Sequence, residues 1–522
     1  MTNAASSLPV NPEISLLASV LKVRNLRSRP MRCFLVGSSN VDALHQDLRS
    51  KFDEWHRTRK ADSAELRQRR HDTLELLVLN LIVFSWSDKN LWVQTPANKT
   101  WYTQNGFWLP KCLSKAIVLS ARDFLVAHGY AEADAGRASS SPRLRRSAVM
   151  RSTKKLADLA SAMGIDRHDI KQSTTHDLIH LKSRKPRRKA KDQAVSDPPR
   201  RRLPFEVTPD LQRKIENLTL INQQFRRTHI DIKLTPRQER EMMAQIIKKQ
   251  DQHTDLDDDA DLMIDRTQDC CYRVYNNGTF EEGGRFYGPW WQSVPKESRK
   301  HIMINGKRTV ELDYSSMHPT ILGNRLGIAI PQGFYEIGIG TKKVVKQTFN
   351  ALLNAKGTSI KPVDGYDEAK FGMPWSEFLK RVKTHYAPFK SYFGKGEGLK
   401  LQRIDSDIAE AVMLHFAKKG KTVLPVHDSF LCTEDTEHEL AEVMEAEFHR
   451  QSNGTIKLKD KRLSTDARLG VRDKVRITPE AYAGYFNRKT ANLSMKRKKH
   501  TGESSINGTD LGSYAGRTPA QQ

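Results

Sequence analysis

Two short stretches place an aspartate where an apolar-flanked extended segment ends in a polar turn. TVELDYS at 309–315 alternates apolar and polar residues and carries Asp313, and LPVHDSFLC at 424–432 carries His427 and Asp428. Such patterns predict half-buried strands, and an aspartate at a strand end can leave the sheet without being buried unpaired. If the strands pair, the two carboxylates converge and can share divalent metal ions, as in phosphoryl transfer. Taken singly, either aspartate is an ordinary turn residue.

A cationic helix face is predicted between these two strands. In TKKVVKQTFNALLNAKG at 341–357, Lys342, Lys346 and Asn350 recur at helical spacing, while the apolar residues between them supply a packing face. Lysines beside two acidic strand ends are suited to a nucleoside triphosphate with Mg²⁺. The helix taken by itself favours the alternative, a surface helix with solvated lysines.

The chain is large and strongly basic. Its 522 residues, of which 38% are hydrophobic, suffice for two or three domains with their own cores. Lysine and arginine total 87 against 61 aspartate and glutamate residues, which gives a formal net charge of +26. An excess of this size favours a polyanionic partner, of which nucleic acid is the first candidate.

No sequence feature indicates a membrane or secretion. The longest apolar run, at 74–86, contains Glu75 and Asn80 and is shorter than the roughly 20 residues that a helix needs to cross a bilayer, so we predict a buried helix. The N-terminus has no secretory signal pattern, and the five cysteines form no C-x-x-C motif. These features favour a cytoplasmic protein without a disulfide framework and without a membrane partner.

The composition predicts two domains and a basic linker. Residues 1–12 and 491–522 lack apolar periodicity, and we expect both to be disordered. The stretch KSRKPRRKAKDQAVSDPPRRR at 182–202 has ten basic and two acidic residues, and it separates a domain at 13–181 from one at 203–490. This linker could hold nucleic acid electrostatically, or it could only keep the chain soluble.

The N-terminal domain is predicted to be mostly helical. Two strand-like pieces, LWVQT and KTWYT, precede a helix that ends at Gly129, and an arginine-rich hairpin with Arg145 and Arg146 follows. The order of helix and basic hairpin resembles a winged helix-turn-helix, in which a helix enters the major groove and the hairpin touches the DNA backbone. A winged helix that binds protein is the alternative.

A second resemblance covers roughly residues 280–432. Five segments, in this order, resemble the sequence motifs of family A DNA polymerases: GGRFYGPWWQSVP (283–295), ELDYSSMHPTI (311–321), KKVVKQTFNALLN (342–354), LQRIDSDIAEAVML (401–414) and LPVHDSF (424–430). The resemblance implies an α+β fold, a right-hand palm polymerase domain in which an antiparallel palm sheet and helical fingers occupy 270–485. The two amphipathic helices at 208–250, each opened by Thr-Pro, then correspond to thumb-like helices.

The same resemblance implies roles for individual residues. Asp313 and Asp428 match the metal-binding carboxylates, which hold two Mg²⁺ ions that activate the primer 3′ hydroxyl and steady the leaving pyrophosphate. Lys346 matches a catalytic lysine that meets the triphosphate. The residues expected at the nucleotide are Lys342, Lys343, Asn350, His318 and Tyr314. The residues expected at the nucleic acid are Arg285, Gln292, Gln402 and His427, together with Arg145 and Arg146 of the hairpin.

The chain departs from the family A pattern at two positions. His318 stands where family A has a glutamate that walls off the ribose 2′ side. Ser429 stands where family A has a glutamate after the motif C aspartate, and single-subunit phage RNA polymerases also have His-Asp-Ser there. The choice between deoxyribonucleotides and ribonucleotides is therefore open. The short separation of the two aspartates favours a compact polymerase of the kind that replicates mobile elements.

The sequence thus predicts a template-directed DNA polymerase that extends a primer on a DNA template with nucleoside triphosphates, for a plasmid, a phage or an integrated element. One alternative is a single-subunit RNA polymerase or primase, which Ser429 favours. Another is a non-catalytic DNA-binding replication initiator built on a degenerate palm. The presence of both aspartates and both lysines argues against that initiator, because a scaffold does not need carboxylates beside cations.

Overall fold

The computed structural model describes residues 28–56, 62–87, 91–136, 148–184, 200–252 and 264–460. The fold is α+β, with antiparallel sheets and many helices, and it divides into two compact units. Unit 1 comprises the described residues of 1–177 and 264–269, and unit 2 those of 178–263 and 270–522. Both termini that we expect to be disordered lie outside the described residues.

Unit 1 combines helices with two small sheets. Its helices are α1 (Ser39–Trp55), α2 (Ala64–Ser87), α3 (Lys99–Asn105), α4 (Lys115–Ala127) and α5 (Lys154–Ala162). Its strands are β1 (Ser28–Pro30), β2 (Leu35–Gly37), β3 (Trp92–Gln94), β4 (Ala131–Asp134), β5 (Val149–Ser152) and β6 (Ile170–Gln172). One sheet has the order β1-β3-β5-β4, and β2 pairs with β6 in the other.

Helix α2 is the buried helix predicted from the apolar run at 74–86. Leu77, Val78 and Val83 on it are fully buried. Asn80, a polar residue within the run, is also buried, and its amide bonds both the backbone N–H and the carbonyl of Arg32, at 2.7 and 3.0 Å. A buried amide satisfied in this way avoids the desolvation cost that an unpaired amide would carry. Of the helices that the structure describes, none is long and apolar enough to cross a membrane.

One strand predicted in unit 1 is wrong. KTWYT lies in the short helix α3, because Asn98 accepts a hydrogen bond from the Thr100 N–H at 2.9 Å and so caps the helix start. The aromatic side chain of Tyr102 is buried, and its hydroxyl donates to the Pro96 carbonyl at 2.8 Å. The capping residue and one buried aromatic therefore outweigh the strand propensity of the segment.

The predicted hairpin of unit 1 is present where its strands are described. Strands β4 and β5 pair antiparallel directly after α4, which ends just before Gly129 as the sequence predicts. Residues 137–147, which join the two strands and include Arg145 and Arg146, lie outside the described residues. The winged helix-turn-helix stays a prediction.

Unit 2 carries the segments that resemble polymerase motifs. Its helices are α6 (Pro209–Arg227), α7 (Pro236–Gln252), α8 (Lys296–Arg299), α9 (Met317–Leu326), α10 (Lys342–Asn354), α11 (Glu368–Phe371), α12 (Trp375–His385), α13 (Glu397–Lys418) and α14 (Glu437–Ser452). Its strands are β7 (Ile179–Leu181), β8 (Ile230–Ile232), β9 (Tyr272–Tyr275), β10 (Gly283–Tyr287), β11 (Ile302–Ile304), β12 (Lys307–Tyr314), β13 (Leu424–Val426), β14 (Ser429–Thr433) and β15 (Leu458–Asp460). Short 3₁₀ turns lie at Trp290–Ser293, Ala387–Tyr392 and Glu434–Thr436.

Two sheets organise unit 2. The larger has the order β13-β14-β12-β11-β8, and β15 pairs with β12; every one of these pairings is antiparallel. The smaller has the order β10-β9-β7. Helices α6 and α7 begin at the predicted Thr-Pro pairs, where Thr208 accepts from the Leu211 N–H and Thr235 and Gln238 cap each other.

The two ends of the predicted basic linker lie side by side in unit 2. Lys182 and Arg202 form an antiparallel bridge, and the Ser183 N–H donates to the Arg201 carbonyl at 2.8 Å. The chain therefore leaves β7 and returns beside it before α6 begins. Residues 185–199, between these ends, lie outside the described residues.

A buried ion-pair network joins α13 to the smaller sheet. The guanidinium of Arg273 on β9 is fully buried, bonds Glu410 and lies 3.1 Å from the Asp407 carboxylate. Its Nε donates to the Gly284 carbonyl of β10 at 2.7 Å. Lys214 of α6 lies 3.3 Å from Asp407, and Arg403 of α13 bonds the other oxygen of the same carboxylate. A buried cation is tolerated only with such compensation, so this network fixes the position of α13 against β10.

A second group of charges joins the end of α13 to α14 and predicts an acid-sensitive contribution to stability. Hydrogen bonds from Lys419 and Lys421, with a smaller contribution from His415, lower the pKa of Glu439 from 4.5 to about 2. Because the folded pKa is depressed, the contribution is complete above about pH 4.5 and is lost as the pH falls toward 2. We expect the difference in urea midpoint between the native chain and Glu439→Gln to shrink over that interval. A difference that stays constant from pH 6 to the lowest folded pH would contradict this expectation.

Candidate active site

The pairing of β12 with β14 brings Asp313 and Asp428 together at one end of the larger sheet. Asp313 lies directly opposite Ser429 in the register, and Asp428 immediately precedes Ser429. The Tyr314 N–H lies 3.5 Å from the Asp428 carbonyl. Asp428 is exposed and Asp313 is half-buried. The structure thus has the strands, their pairing and the neighbouring aspartates that the sequence predicts.

Each aspartate lies beside a residue with an unusual backbone conformation. His427, the first residue of the two-residue turn between β13 and β14, has a φ of 59°, and Ser316, between β12 and α9, has a φ of 52°. Non-glycine residues adopt this left-handed region at a cost of about 1–3 kcal/mol, and such residues cluster at functional sites. The His427 turn places Asp428 at the tip of a hairpin, and the Ser316 turn, three residues after Asp313, leads into helix α9 at Met317.

The predicted lysine helix is α10. Thr341 caps it by accepting from the Val344 N–H at 3.3 Å, and Phe349 is fully buried on its packing face. Lys346 is exposed, with its ammonium 5.9 Å from the centre of the Tyr335 ring. The other predicted residues of α10 are at its surface: Lys342 bonds Glu336 at 2.5 Å, Lys343 lies 3.7 Å from Asp364, and Asn350 is half-buried.

Tyr335 contacts Lys346 of the lysine helix and is influenced by the charge of Asp428, and sequence reasoning missed it. Burial raises the pKa of its hydroxyl, and the negative charge of Asp428 raises it further. The charge of Asp428 therefore acts on the Tyr335 hydroxyl, and the Lys346 ammonium makes a cation–π contact with the Tyr335 ring. The available signal was an aromatic pair, FYE, within the glycine-rich loop QGFYEIGIG.

Arg285 and His318 meet on a carboxylate that the sequence analysis did not select, that of Asp405 on α13. Its Oδ2 accepts from His318 Nε2 at 2.8 Å and from the Arg285 guanidinium at 3.1 Å, and its Oδ1 accepts from the Ser406 hydroxyl at 3.0 Å. Burial by itself would raise the pKa of Asp405, but the charge of Arg285 and the contacts with His318 prevail and lower it. Asp405 is 8% exposed.

A β-bulge in β10 aims Arg285 toward this group. The register of β10 on β9 shifts between Gly283 and Arg285, and Gly284 has a φ of 83°. A Cβ at Gly284 would lie 2.8 Å from the guanidinium of Arg273, so this position requires glycine. Burial opposes the charge of Arg285, but Asp405 and more distantly Asp428 raise its pKa. Arg285 therefore lies within electrostatic reach of Asp428.

The predicted glutamines differ in their placement. The amide of Gln292 donates to the Phe286 carbonyl of β10 at 3.2 Å and to the Pro425 carbonyl of β13 at 3.4 Å, so it joins the two sheets near the His427 turn. Gln402 is half-buried on α13, one turn before the Asp405 position, and its carbonyl accepts from Ser406.

The Tyr314 side chain does not lie with the other predicted nucleotide-site residues, contrary to its predicted role at the nucleotide. Successive side chains of a strand point to opposite faces of the sheet. Tyr314 accordingly packs against Phe448 of α14, and its hydroxyl donates to the Met444 carbonyl at 2.8 Å. The side chain is buried, which raises its pKa. This placement corrects the prediction: Tyr314 is a packing residue.

Ser429 has a partner in the sheet. Its hydroxyl donates to Glu311 at 2.7 Å, and the guanidinium of Arg299 lies 3.1 Å from the other oxygen of that carboxylate. Glu311 is two residues before Asp313 on β12 and therefore on the same face. Ser429 thus anchors β14 to β12 beside the aspartate pair.

The two aspartates offer carboxylate oxygens, which are the ligands that Mg²⁺ prefers. Within the ranges that the structure describes, no group of three or more His, Cys, Asp or Glu side chains could hold a metal. Mg²⁺ usually takes only one or two carboxylates and completes its shell with water and substrate phosphates. A pair of accessible aspartates fits that pattern and does not fit a closed protein cage.

No protein-family model and no curated protein matches the sequence. A solved structure with some similarity is the POL domain of Pol1 from M. smegmatis, in complex with DNA primer-template and dNTP. The match has 11% sequence identity and a TM-score of 0.25, and it covers 37% of this chain and 47% of that chain. The match thus spans about half the length of the neighbour.

Proposed function

We propose that this chain is a template-directed DNA polymerase that adds nucleotides to a primer 3′ end. The observation that carries the proposal is the antiparallel pairing of β12 with β14, which makes Asp313 and Asp428 neighbours at one end of the sheet. The five motif-like segments of the sequence, with both aspartates among them, support the same function. A scaffold without catalysis would have no need of two accessible carboxylates within reach of cations.

Asp313 and Asp428 would hold two Mg²⁺ ions. When bound, the ions lower the pKa of the primer 3′ hydroxyl and offset the charge that develops on the leaving pyrophosphate. The carboxylates themselves would compensate the metal charge and fix where the primer end and the α-phosphate meet. The two-residue turn of the β13–β14 hairpin would hold Asp428 next to the β12 strand that carries Asp313.

The cations near this pair would bind the triphosphate. Lys346 is exposed and lies beside Tyr335, which feels the charge of Asp428, so its ammonium is positioned for phosphate oxygens. Lys342 is one helical turn away on the same face and adds charge. Both groups would stabilise negative charge on the phosphates more strongly as the pyrophosphate leaves.

His318 would discriminate against the ribose 2′ hydroxyl. Its imidazole follows the Ser316 turn and is 19% exposed, close to the aspartate end of β12. We expect His318→Ala to raise ribonucleotide incorporation relative to deoxyribonucleotide incorporation by about tenfold or more, because the wall beside the sugar is lost. The measurement is kcat/KM for single dNTP and NTP additions. An unchanged ratio would remove His318 from the sugar site.

Arg285, Gln292, Gln402 and His427 would contact the primer-template. They come from β10, the 3₁₀ turn after it, α13 and the β13–β14 turn. The net charge of +26 favours binding of a polyanion, and this binding should weaken as salt increases.

The test of the proposed function is extension of a labelled primer on a DNA template with Mg²⁺, offering dNTPs and NTPs in separate reactions, on primed and unprimed templates. Extension of the primer by dNTPs supports the proposal. Use of NTPs on the unprimed template would instead favour an RNA polymerase or primase. Tight DNA binding with no addition in any reaction would favour a replication initiator.

A further inference from the structure

Asp405 occupies an unusual position for a charged residue. It lies on the buried face of α13, in line with the fully buried Leu401, Ile408 and Val412. None of the roles that the motif resemblance implies falls on it. A buried carboxylate is retained only where its partners compensate for lost hydration, so the partners of Asp405 show what it holds in place.

Those partners belong to two different parts of the proposed site. His318 comes from the start of α9, directly after the Asp313 strand, and Arg285 comes from the bulge of β10. One oxygen of the Asp405 carboxylate accepts hydrogen bonds from both His318 and Arg285, while the Ser406 hydroxyl donates to the other oxygen. The proposed sugar wall and the proposed primer-template contact are therefore fixed to each other through one side chain.

This arrangement restricts the imidazole of His318. A ring nitrogen bonded to a carboxylate carries a proton, so Nε2 is the protonated nitrogen and the ring cannot flip without losing the bond. The same bond limits rotation about the side-chain torsions. A wall against a 2′ hydroxyl discriminates only while it keeps its place, because small displacements of a positioned group cost large factors in rate.

We propose that Asp405 is the positioning residue for sugar selection, and that it acts by holding His318 in the orientation that excludes the ribose 2′ hydroxyl. The inference rests on the proposed polymerase function. Asp405 itself does not touch the nucleotide. Asp405 also bonds Arg285 through the same carboxylate oxygen. The residue proposed for sugar selection and a residue proposed for primer-template binding are therefore both positioned by Asp405.

The test compares Asp405→Asn, His318→Ala and the double variant in single-nucleotide addition with a dNTP and with the matching NTP. We expect Asp405→Asn to lower the ratio of kcat/KM for dNTP to that for NTP by about tenfold, because asparagine keeps the volume but not the charge that holds the imidazole. The double variant should have the same ratio as His318→Ala alone, since Asp405 affects the sugar ratio only through His318.

Asp407→Asn is the matched control. It removes a carboxylate from the same helix, two residues further on, where the partners are Arg273, Lys214 and Arg403. We expect this variant to be less stable to urea but to keep the native sugar ratio. Asp405→Glu is the second test variant, used whether or not Asp405→Asn folds. It keeps the charge that Arg285 needs but displaces the carboxylate by one methylene, so its sugar ratio should also fall.

Two results would overturn the inference while leaving the polymerase intact. One is a native sugar ratio in folded Asp405→Asn or Asp405→Glu. The other is a double variant whose ratio falls by the product of the two single effects, which would mean that Asp405 acts independently of His318. Absence of any nucleotide addition by the native chain would instead refute the proposed function itself, so the two failures are distinguishable.

Discussion

Asp428→Asn is expected to reduce nucleotide addition by about a thousandfold, which corresponds to about 4 kcal/mol of lost transition-state stabilisation. The variant keeps the size of the side chain at the tip of the β13–β14 hairpin and removes only its charge. Binding of primer-template DNA should stay within about threefold of the native value, because that affinity comes from phosphate contacts of basic residues elsewhere. The measurement pairs a single-nucleotide addition assay with a DNA-binding titration on the same preparation.

Asp435→Asn provides the matched control for that variant. Asp435 follows the other end of β14, where it bonds Lys307 and Thr433, far along the ladder from Asp313. Removal of its charge should leave nucleotide addition unchanged. Equal losses in the two variants, or residual addition by Asp428→Asn above about a tenth of the native rate, would contradict the role assigned to Asp428.

Arg273→Met is expected to lower the free energy of unfolding of unit 2 by about 3–5 kcal/mol. The fully buried guanidinium bonds Glu410, lies 3.1 Å from Asp407 and donates to the Gly284 carbonyl. Methionine fills much of the volume but removes the closest cation of the buried Glu410 carboxylate, which keeps only Lys214 at 3.9 Å. Urea denaturation measures the loss, and the double variant with Glu410→Leu should regain part of it because the uncompensated charge is removed as well.

Arg237→Met on α7 is the control for this experiment, since its guanidinium is largely exposed and pairs with Glu241 one turn away. Its urea midpoint should match that of the native chain, as exposed pairs contribute little. A single Arg273→Met variant with a native midpoint, or a double variant less stable than the single one, would show that the network does not brace α13.

The strands that carry the aspartates are predictable from the sequence because their signal is local. Alternating side chains in TVELDYS specify a strand, and a polar pair between two apolar runs specifies the turn before Asp428. The start of α10 is likewise set by Thr341 within three residues. The wrong strand prediction at KTWYT also comes from a local signal. Its aromatic and β-branched residues favour a strand, whereas the helix start depends on the cap by Asn98.

The contacts around Asp405 cannot be obtained from local pattern. His318 and Asp405 are 87 residues apart, and nothing in either segment specifies the partner of the other. The helical spacing of Leu401, Ile408 and Val412 does indicate that Asp405 faces the core, and a core-facing acid requires a cation or donors. The sequence therefore contains the need for a partner but not its identity. The placement of Tyr314, by contrast, follows from local pattern alone. The two-residue period of a strand puts its side chain on the face opposite that of Asp313.

The most direct test of the polymerase assignment is single-nucleotide addition to one primer on four DNA templates that differ only in the first unpaired base. The native chain with Mg²⁺ should add, on each template, the complementary deoxyribonucleotide far faster than the other three, and Asp428→Asn should add none at a comparable rate. Addition that ignores the template base, or no addition by a native chain that binds the primer-template, would contradict a template-directed polymerase built on Asp313 and Asp428.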